Sequence, residues 1–157
     1  MKTVQRSKDS APKPAERREG TQKQLSAMVA ERTEMLSLYC RLAGLDPLSD
    51  HRHRQPAKKL VQEFCQILID YMAAGHFGLY DRLVNGTERR RHVADLAAQL
   101  YPRIADTTQV ALDFNDKYDV NEQWEIPLSF ETDLSRLGEE LAVRIELEDR
   151  LIARLLA

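Results

Sequence analysis

The sequence is poor in the residues that make turns and crosslinks. Its 157 residues include only six glycines and six prolines, and four of the prolines lie at or before Pro56. All-β domains need many turns, and turns depend on glycine, proline and asparagine. The scarcity of these residues therefore argues against a sandwich or barrel. The two cysteines, Cys40 and Cys65, are too few for a disulfide framework and do not form a C-x-x-C motif.

Long apolar runs are also missing from the chain. The longest are short stretches such as Ile67–Ile69 and Tyr71–Ala74, whereas a membrane span needs about 20 apolar residues. The N-terminus has no apolar stretch of the kind found in signal peptides. We therefore expect a cytoplasmic protein that has no membrane segment and keeps its cysteines reduced.

The net charge of −2 hides a regional asymmetry. Residues 1–20 hold six basic and three acidic side chains, which leaves 17 basic and 22 acidic side chains in the rest of the chain. Residues 113–149 alone hold twelve acids and three bases. Such an acidic surface disfavours nucleic acid as a ligand and favours a basic protein surface as the partner.

Hydrophobic periodicity predicts one helical domain behind a tail. Residues 1–20 are rich in charged residues, serine and proline, and predict a disordered basic tail, while residues 21–157 predict the folded domain. Apolar residues recur at steps of three and four in four segments, at about residues 21–43, 56–74, 93–118 and 127–157. This pattern predicts an all-α fold, an antiparallel four-helix bundle with additional short helices.

Four residues interrupt or end the helical pattern. Gly44 and Gly86 predict helix ends, because glycine readily adopts the left-handed conformation that follows a helix. Pro102 predicts either a kink or a division of the third long helix, because proline lacks the N–H of the helical hydrogen bond. Glu148 interrupts the apolar stripe of the last helix. We expect it either at a partly exposed edge or in a pair with a base.

Catalytic and metal-binding motifs are missing. No Glu-x-x-His, phosphate-binding glycine loop, G-x-S-x-G or H-E-x-x-H occurs. His51 and His53 could bind zinc, but no third ligand is near and two arginines flank them, so a solvated loop is favoured. A nucleophile pair of Cys65 and His76 is formally available, although Cys65 fits a core position. We therefore expect no enzyme activity, no cofactor and no metal.

The segment Phe64–Leu83 carries the residues that we expect to bind a partner. On a helix, Asp70 cannot share the face of the large apolar residues in this segment, so it projects elsewhere. The small residues 73–75 would let a partner backbone approach closely, next to Phe77. An exposed aromatic beside an acid favours a protein-binding hot spot. An equally open alternative is that Gly75 only ends a helix and Phe77 only fills the core.

This segment also carries a family resemblance. Phe64–Arg82 follows the pattern F-C-Q-x-L-x-D-Y-x-x-A-G-H-F-x-x-Y-[DE]-R, which resembles the regulator of sigma D family, also known as Rsd/AlgQ. Members of this family are bacterial anti-sigma factors. Further similarity follows in order at residues 36–44, with Arg32 upstream, at Tyr101-Pro102 and at residues 134–152. The resemblance covers about residues 25–155.

The resemblance implies a cytoplasmic helical bundle that binds the housekeeping sigma factor, chiefly its region 4. Region 4 is the helix-turn-helix part that reads promoter DNA, so its basic surface suits the acidic body of this chain. Binding would sequester sigma from core RNA polymerase. The alternative is a helical-bundle adaptor for another cytosolic regulator, such as a phosphotransfer or stringent-response protein. A second regulatory partner also stays open.

The family pattern assigns partner binding to seven positions in this sequence: Arg32, Asp70, Gly75, His76, Phe77, Tyr80 and Asp81. We expect Asp70 to pair with an arginine or lysine of sigma. We expect His76 or Phe77 to pack against sigma, and Tyr80 is either a contact or a core residue that supports them.

The chain departs from the family pattern in its first helix. Ser26–Met28 stands where members carry Asp-Arg-Trp, and Val29 stands where they carry leucine. The loop at residues 85–91 is also more basic than in the family. These departures predict a weaker sigma contact, or one directed at a different sigma surface.

Overall fold

Helices make up almost all of the structure, a computed structural model that describes residues 14–44, 58–119 and 125–157. No strand occurs within these ranges, and no helix in them is long and apolar enough to cross a membrane. The all-α prediction is confirmed. The elements are α1 (Pro14–Leu42), α2 (Lys58–Gly75), a π-helical turn (His76–Tyr80), α3 (Asp81–Val84), α4 (Arg91–Tyr118) and α5 (Phe130–Leu156).

The helices α1 and α2 pack side by side and run in opposite directions. Near the start of α1, the Thr21 hydroxyl accepts a hydrogen bond of 3.0 Å from Arg82 Nη1, which lies beyond the end of α2. Near the end of α1, the Tyr39 ring lies 6.1 Å from the Phe64 ring in the first half of α2. These two crossings fix the antiparallel register.

The helices α4 and α5 form the second antiparallel pair, and α2 packs against α4. Arg103 and Glu140 form an ion pair of 2.7 Å, and Lys117 and Asp133 form another of 2.7 Å. The later residue of α4 pairs with the earlier residue of α5, so the two helices run in opposite directions. The four long helices therefore make the predicted antiparallel bundle.

Aromatic rings fill one end of the bundle core. The ring of Phe114 in α4 lies 5.9 Å from Phe64 of α2 and 6.1 Å from Phe130 of α5. The Tyr118 ring meets Phe130 edge to face at 5.1 Å. Such tilted contacts contribute about 0.5–1.5 kcal/mol per pair beyond simple burial. They join three of the four helices.

The N-terminal helix begins earlier than its sequence pattern predicts. α1 starts at Pro14 rather than near Thr21, so residues 14–20 of the predicted disordered tail are helical. This stretch holds one alanine, two glutamates and two arginines, which favour helix, and proline is well tolerated in a first turn. Residues 1–13, Pro56 and the connector that holds His51 and His53 lie outside the described residues. The boundary between tail and domain otherwise stays a prediction.

Pro102 does not divide the third long helix. α4 is one continuous helix across it, so the predicted division is wrong. Pro102 lies on the exposed side, while Leu100 and Ile104 on either side of it are buried. Gly44 and Gly86 have φ values of 70° and 85°, which confirms the two helix ends predicted from glycine.

The buried positions of α5 follow a more regular repeat than its apolar residues do. The buried positions alternate steps of three and four, and two of them are charged: Phe130, Leu134, Leu137, Leu141, Arg144, Glu148, Leu151 and Leu155. The nearby isoleucines Ile145 and Ile152 fall outside this repeat and are only partly buried. The repeat keeps its spacing by burying an ion pair instead.

Candidate protein-binding site

The outer face of α2 and the π turn presents an aromatic ring together with two carboxylates. Phe77 is 72% exposed, and Asp70 and Asp81 are also exposed. Asp70 precedes Phe77 by two helical turns, so both lie on the same side of the helix. The His76 ring meets the Phe77 ring edge to face at 4.8 Å. The alternative that Phe77 fills the core is therefore wrong.

The π turn determines which residues face outward after Gly75. The Asp81 N–H donates to the His76 carbonyl, an i to i+5 hydrogen bond. Gly75 has φ −65° and ψ −49°, so the chain remains helical through it: α2 ends at Gly75 and the π turn follows directly. Within the turn Tyr80 is buried while Phe77 is exposed. Single π turns inside α-helices occur frequently at functional sites.

Gly75 is buried against α5 and does not form an open shelf. A Cβ atom at this position would lie 3.0 Å from Arg144 Nη2 and 3.1 Å from Cε2 of Tyr80. The predicted close approach of a partner backbone to Gly75 is wrong, because Arg144 already occupies that space. The glycine is needed here to let a buried guanidinium reach the helix backbone.

Arg144 lies at the centre of the bundle with its charge compensated. Its side chain is 1% exposed, and that of Glu148 is fully buried. Arg144 Nε donates to Glu148 Oε1 at 2.9 Å. Arg144 Nη1 donates to the hydroxyls of Thr107 and Thr108 of α4 at 3.2 and 2.6 Å. A buried charge needs this degree of pairing to be tolerated.

Two tyrosines enclose the Arg144 guanidinium. Its Cζ lies 5.5 Å from the ring centre of Tyr71 and 5.3 Å from that of Tyr80. The Tyr71 hydroxyl donates to Glu148 Oε2. Burial raises the pKa of both tyrosines, and the nearby Glu148 carboxylate raises it further. Both side chains are therefore neutral phenols at physiological pH, and Tyr80 is a core residue beneath the exposed face.

Arg32 connects this cluster to the surface. Its Nη1 donates to Asp149 Oδ1 at 2.8 Å and lies 3.5 Å from Glu148 Oε2. The Arg32 side chain is only 14% exposed. Burial acts to lower the pKa of Arg32, but the hydrogen bond to Asp149 and the nearby charges of Asp149 and Glu148 together outweigh it, so this pKa lies above its ordinary value. Arg32 thus ties α1 to α5.

We call these six side chains the buried charge network: Arg32, Tyr71, Thr107, Thr108, Arg144 and Glu148. The paired alternative for Glu148 is confirmed. Sequence reasoning missed the tyrosine, both threonines and Arg144. The available signal was Glu148 on an apolar stripe with an arginine four residues earlier, the spacing at which helical side chains meet.

The described residues bring together no catalytic or metal-binding group beside this network. Cys65 is fully buried, and burial raises its pKa to about 12. His76 is exposed, so the two do not form the thiolate–imidazole pair that nucleophilic catalysis needs. Among residues 14–44, 58–119 and 125–157, no group of three potential metal ligands comes together.

Comparisons with known proteins identify the family of this chain. The family model described as "Regulator of RNA polymerase sigma(70) subunit, Rsd/AlgQ" matches residues 9–156. The regulator of sigma D of Escherichia coli O1:K1 is 34% identical over 138 residues, which are 87% of this chain and 86% of that protein. The regulator of sigma D of Yersinia enterocolitica serotype O:8 is 31% identical over 135 residues, 85% of this chain and 80% of that protein. No solved structure matches the chain. The chain therefore belongs to the Rsd/AlgQ family of regulators of the RNA polymerase sigma(70) subunit.

Proposed function

We propose that this protein is a cytoplasmic anti-sigma factor that acts by stoichiometric binding and not by catalysis. It binds the housekeeping sigma factor, chiefly region 4, and sequesters it from core RNA polymerase. Membership of a family of sigma(70) regulators supports this function. The surface that we assign to sigma consists of Asp70, His76, Phe77 and Asp81, and we call it the sigma face.

The observation that carries the proposal is the exposure of Phe77. A phenylalanine that is 72% exposed on an ordered helical turn leaves a large apolar area in water. Aromatic side chains are enriched in the cores of protein interfaces. The edge-to-face contact with His76 holds the Phe77 ring away from the bundle, so it is available to a pocket on the partner.

The charges around Phe77 support a basic partner. Asp70 and Asp81 are exposed on the same segment. A helix-turn-helix domain that reads DNA carries arginines and lysines on its recognition surface. Charge pairs at the rim of an interface raise the association rate and fix the register, while apolar contacts supply most of the affinity. We assign Asp70 to an arginine or lysine of region 4.

The other three family positions act beneath the surface in this proposal. Gly75 and Tyr80 are buried, and Arg32 is engaged with Asp149. They support the sigma face and do not touch the partner.

The first helix borders the sigma face at its atypical positions. A Cβ atom built on Gly78 would lie 4.0 Å from Cβ of Gln24, so α1 adjoins the π turn. Of the three residues that replace the family's Asp-Arg-Trp, Ser26 and Ala27 are exposed and Met28 is buried. The side chains lost from this edge are thus a charged pair at the rim, which weakens binding less than a loss at the interface centre.

A titration and a competition together test this function. Calorimetric titration with the isolated region 4 domain should give a one-to-one complex, and the region 2 domain serves as the control ligand. Added protein should reduce transcription by reconstituted polymerase when it is mixed with sigma before core, and promoter DNA alone should not bind. A chain that binds neither sigma domain would overturn the proposal.

Capture from native cytosol separates the proposal from an adaptor role. We expect the immobilised full chain to recover the housekeeping sigma factor without core polymerase. Recovery of a phosphotransfer or stringent-response protein in the absence of sigma would instead support the adaptor function.

A further inference from the structure

We propose that Arg144 and Glu148 are positioning residues for the sigma face: they hold the π turn in the conformation that exposes Phe77. This inference rests on the proposed sigma binding for its effect on affinity, but its effect on the π turn stands independently. Neither residue touches a partner, since both are buried.

The first step is that the π turn needs support from outside itself. The i to i+5 hydrogen-bond pattern is rare in proteins and occurs mostly as single turns. The only side chains of the turn that can anchor it to the bundle are the buried ones, Leu79 and Tyr80. Leu79 supplies apolar burial without direction, whereas the Tyr80 ring has two directional contacts, the Arg144 guanidinium at 5.3 Å and the Tyr101 ring of α4 at 6.3 Å. Of these two, only the Arg144 contact comes from the buried charge network.

The second step is that Arg144 contacts both ends of the turn. The turn starts immediately after Gly75 and ends at Tyr80. Arg144 Nη2 lies within 3.0 Å of the position that a Cβ of Gly75 would occupy. The same guanidinium therefore packs against the backbone before the turn and against the ring at its end. It acts as a bracket around the four residues between them, 76–79.

The third step is that the Arg144 guanidinium is held in its position by several contacts. Glu148 holds Nε of Arg144 at 2.9 Å, and the α4 threonines hold Nη1. Glu148 is held in turn by the Tyr71 hydroxyl and by Arg32. These contacts come from α1, α2 and α4, so the position of the guanidinium is determined by the whole bundle.

The consequence follows from helix geometry. A π turn contains one more residue than the α-helical turn it replaces, and one residue corresponds to about 100° of rotation. If the turn relaxed to α-helix, the residues after it would rotate by about that angle relative to Asp70. Phe77 lies near the start of the turn and Tyr80 closes it, so Tyr80 would rotate relative to Phe77. Keeping Tyr80 buried beside Arg144 would then turn Phe77 toward the bundle, and the sigma face would lose its exposed ring.

The test combines affinity for region 4 with amide hydrogen exchange in the full-length protein. The main variant replaces the ion pair by apolar residues, Arg144→Met with Glu148→Leu, because such replacements are often neutral for stability. The second variant is Gly75→Ala, which pushes a methyl group into the bracket and leaves both charges in place. Arg103→Gln, which breaks an exposed ion pair away from the turn, is the control.

We expect both test variants to exchange the amides of residues 77–81 faster than the wild type and to lose about tenfold in affinity. In a Phe77→Ala background the same changes should cost no further affinity, because the residue that they position is gone. The Arg103→Gln control should alter neither measurement.

Two results would overturn the inference. One is unchanged exchange at residues 77–81 in both test variants. The other is an affinity loss that is the same size with and without Phe77, which indicates a general structural effect. If the wild type does not bind region 4 at all, the proposed function fails, and the exchange measurement alone then decides whether the bracket holds the turn.

Discussion

The guanidinium of Arg144 lies between the ring of Tyr80 and the backbone of Gly75, so one buried charge touches both ends of the π turn. Taking a charge out of water is costly, and a well-packed apolar pair is often at least as stable as a buried ion pair. The network therefore gives little net stability. Its contribution is conformational: it specifies one arrangement of helices and one register of the turn.

Removing only one member of the ion pair should be far more damaging than removing both. Glu148→Leu leaves the Arg144 charge buried without its carboxylate, which costs about 3–5 kcal/mol of unfolding free energy. The double variant Arg144→Met, Glu148→Leu should stay within about 1–2 kcal/mol of the wild type. Urea unfolding followed by circular dichroism measures both. Equal losses in the single and double variants would contradict the pairing energetics.

The fold was predictable from the sequence because the spacing of apolar residues identifies the helices and the face that each one buries. Four segments with steps of three and four place Leu68, Ile104 and Leu137 in a common core, and all three are buried. Scarce glycine and proline also argued against an all-β fold. Gly44 and Gly86 located helix ends correctly, because the ability to adopt a positive φ is a property of glycine itself and does not depend on distant contacts.

The candidate site was only partly predictable, because its buried part depends on contacts between distant segments. Phe77 and Asp70 were identifiable from one helix. Arg144 was not, because a charged residue on a helix is usually solvated and nothing local shows that Thr107 and Thr108 face it from α4. Gly75 was open to two interpretations for the same reason: Arg144, which packs against it, lies 69 positions further along the chain.

Truncating Phe77 should weaken sigma binding without destabilising the fold. Phe77→Ala removes a ring that is 72% exposed and meets the His76 ring edge to face, so the unfolding free energy should change by less than about 0.5 kcal/mol. Affinity for region 4 should fall by at least about tenfold if the ring fills a pocket on sigma. Leu128→Ala is the matched control, since Leu128 is 95% exposed but lies in the turn before α5. Equal affinity of the Phe77 variant and the wild type would exclude this ring from the interface.

Reversing the charge at Asp70 should weaken the complex and reduce its sensitivity to salt. Asp70→Arg turns a predicted attraction to a basic partner into a repulsion, and exposed charge changes rarely unfold a domain. Wild-type affinity for region 4 should fall as ionic strength rises, because exposed charge pairs are screened. Glu131→Arg makes the same charge change at an exposed position of α5 and should leave affinity nearly unchanged. A complex that is insensitive to salt would count against charge matching.

Acid should weaken the contact between the end of α4 and the start of α5. Hydrogen bonds from Lys117 and then Tyr118 hold the pKa of Asp133 below its ordinary value of 3.8. A carboxyl whose folded pKa is lowered stabilises the fold above its unfolded pKa, and that stabilisation disappears as pH falls through the folded pKa. The stability difference between the wild type and Asp133→Asn should therefore be constant above about pH 5 and shrink below pH 3.8. Unfolding in urea at a series of pH values measures it, and a difference that grows on acidification would contradict the assignment.

Gly138 should be the least replaceable glycine in the described part of the chain. A Cβ at this position would lie 2.1 Å from the Tyr39 hydroxyl oxygen and 2.7 Å from Cζ of the same ring. Gly138→Ala must therefore displace Tyr39, which loses its hydrogen bond of 2.9 Å to the Leu134 carbonyl. Overpacking of this kind costs about 1–3 kcal/mol.

The matched control for Gly138→Ala is Gly20→Ala. Gly20 also lies inside a helix, but a Cβ there would meet nothing within 4 Å. Alanine should stabilise that position by about 0.5–1 kcal/mol, because it lowers the entropy of the unfolded chain. The midpoints of thermal and urea unfolding should fall for Gly138→Ala and rise for Gly20→Ala. A Gly138 variant as stable as the wild type would mean that Tyr39 has an alternative position, and the contact between α1 and α5 would then not depend on its hydroxyl.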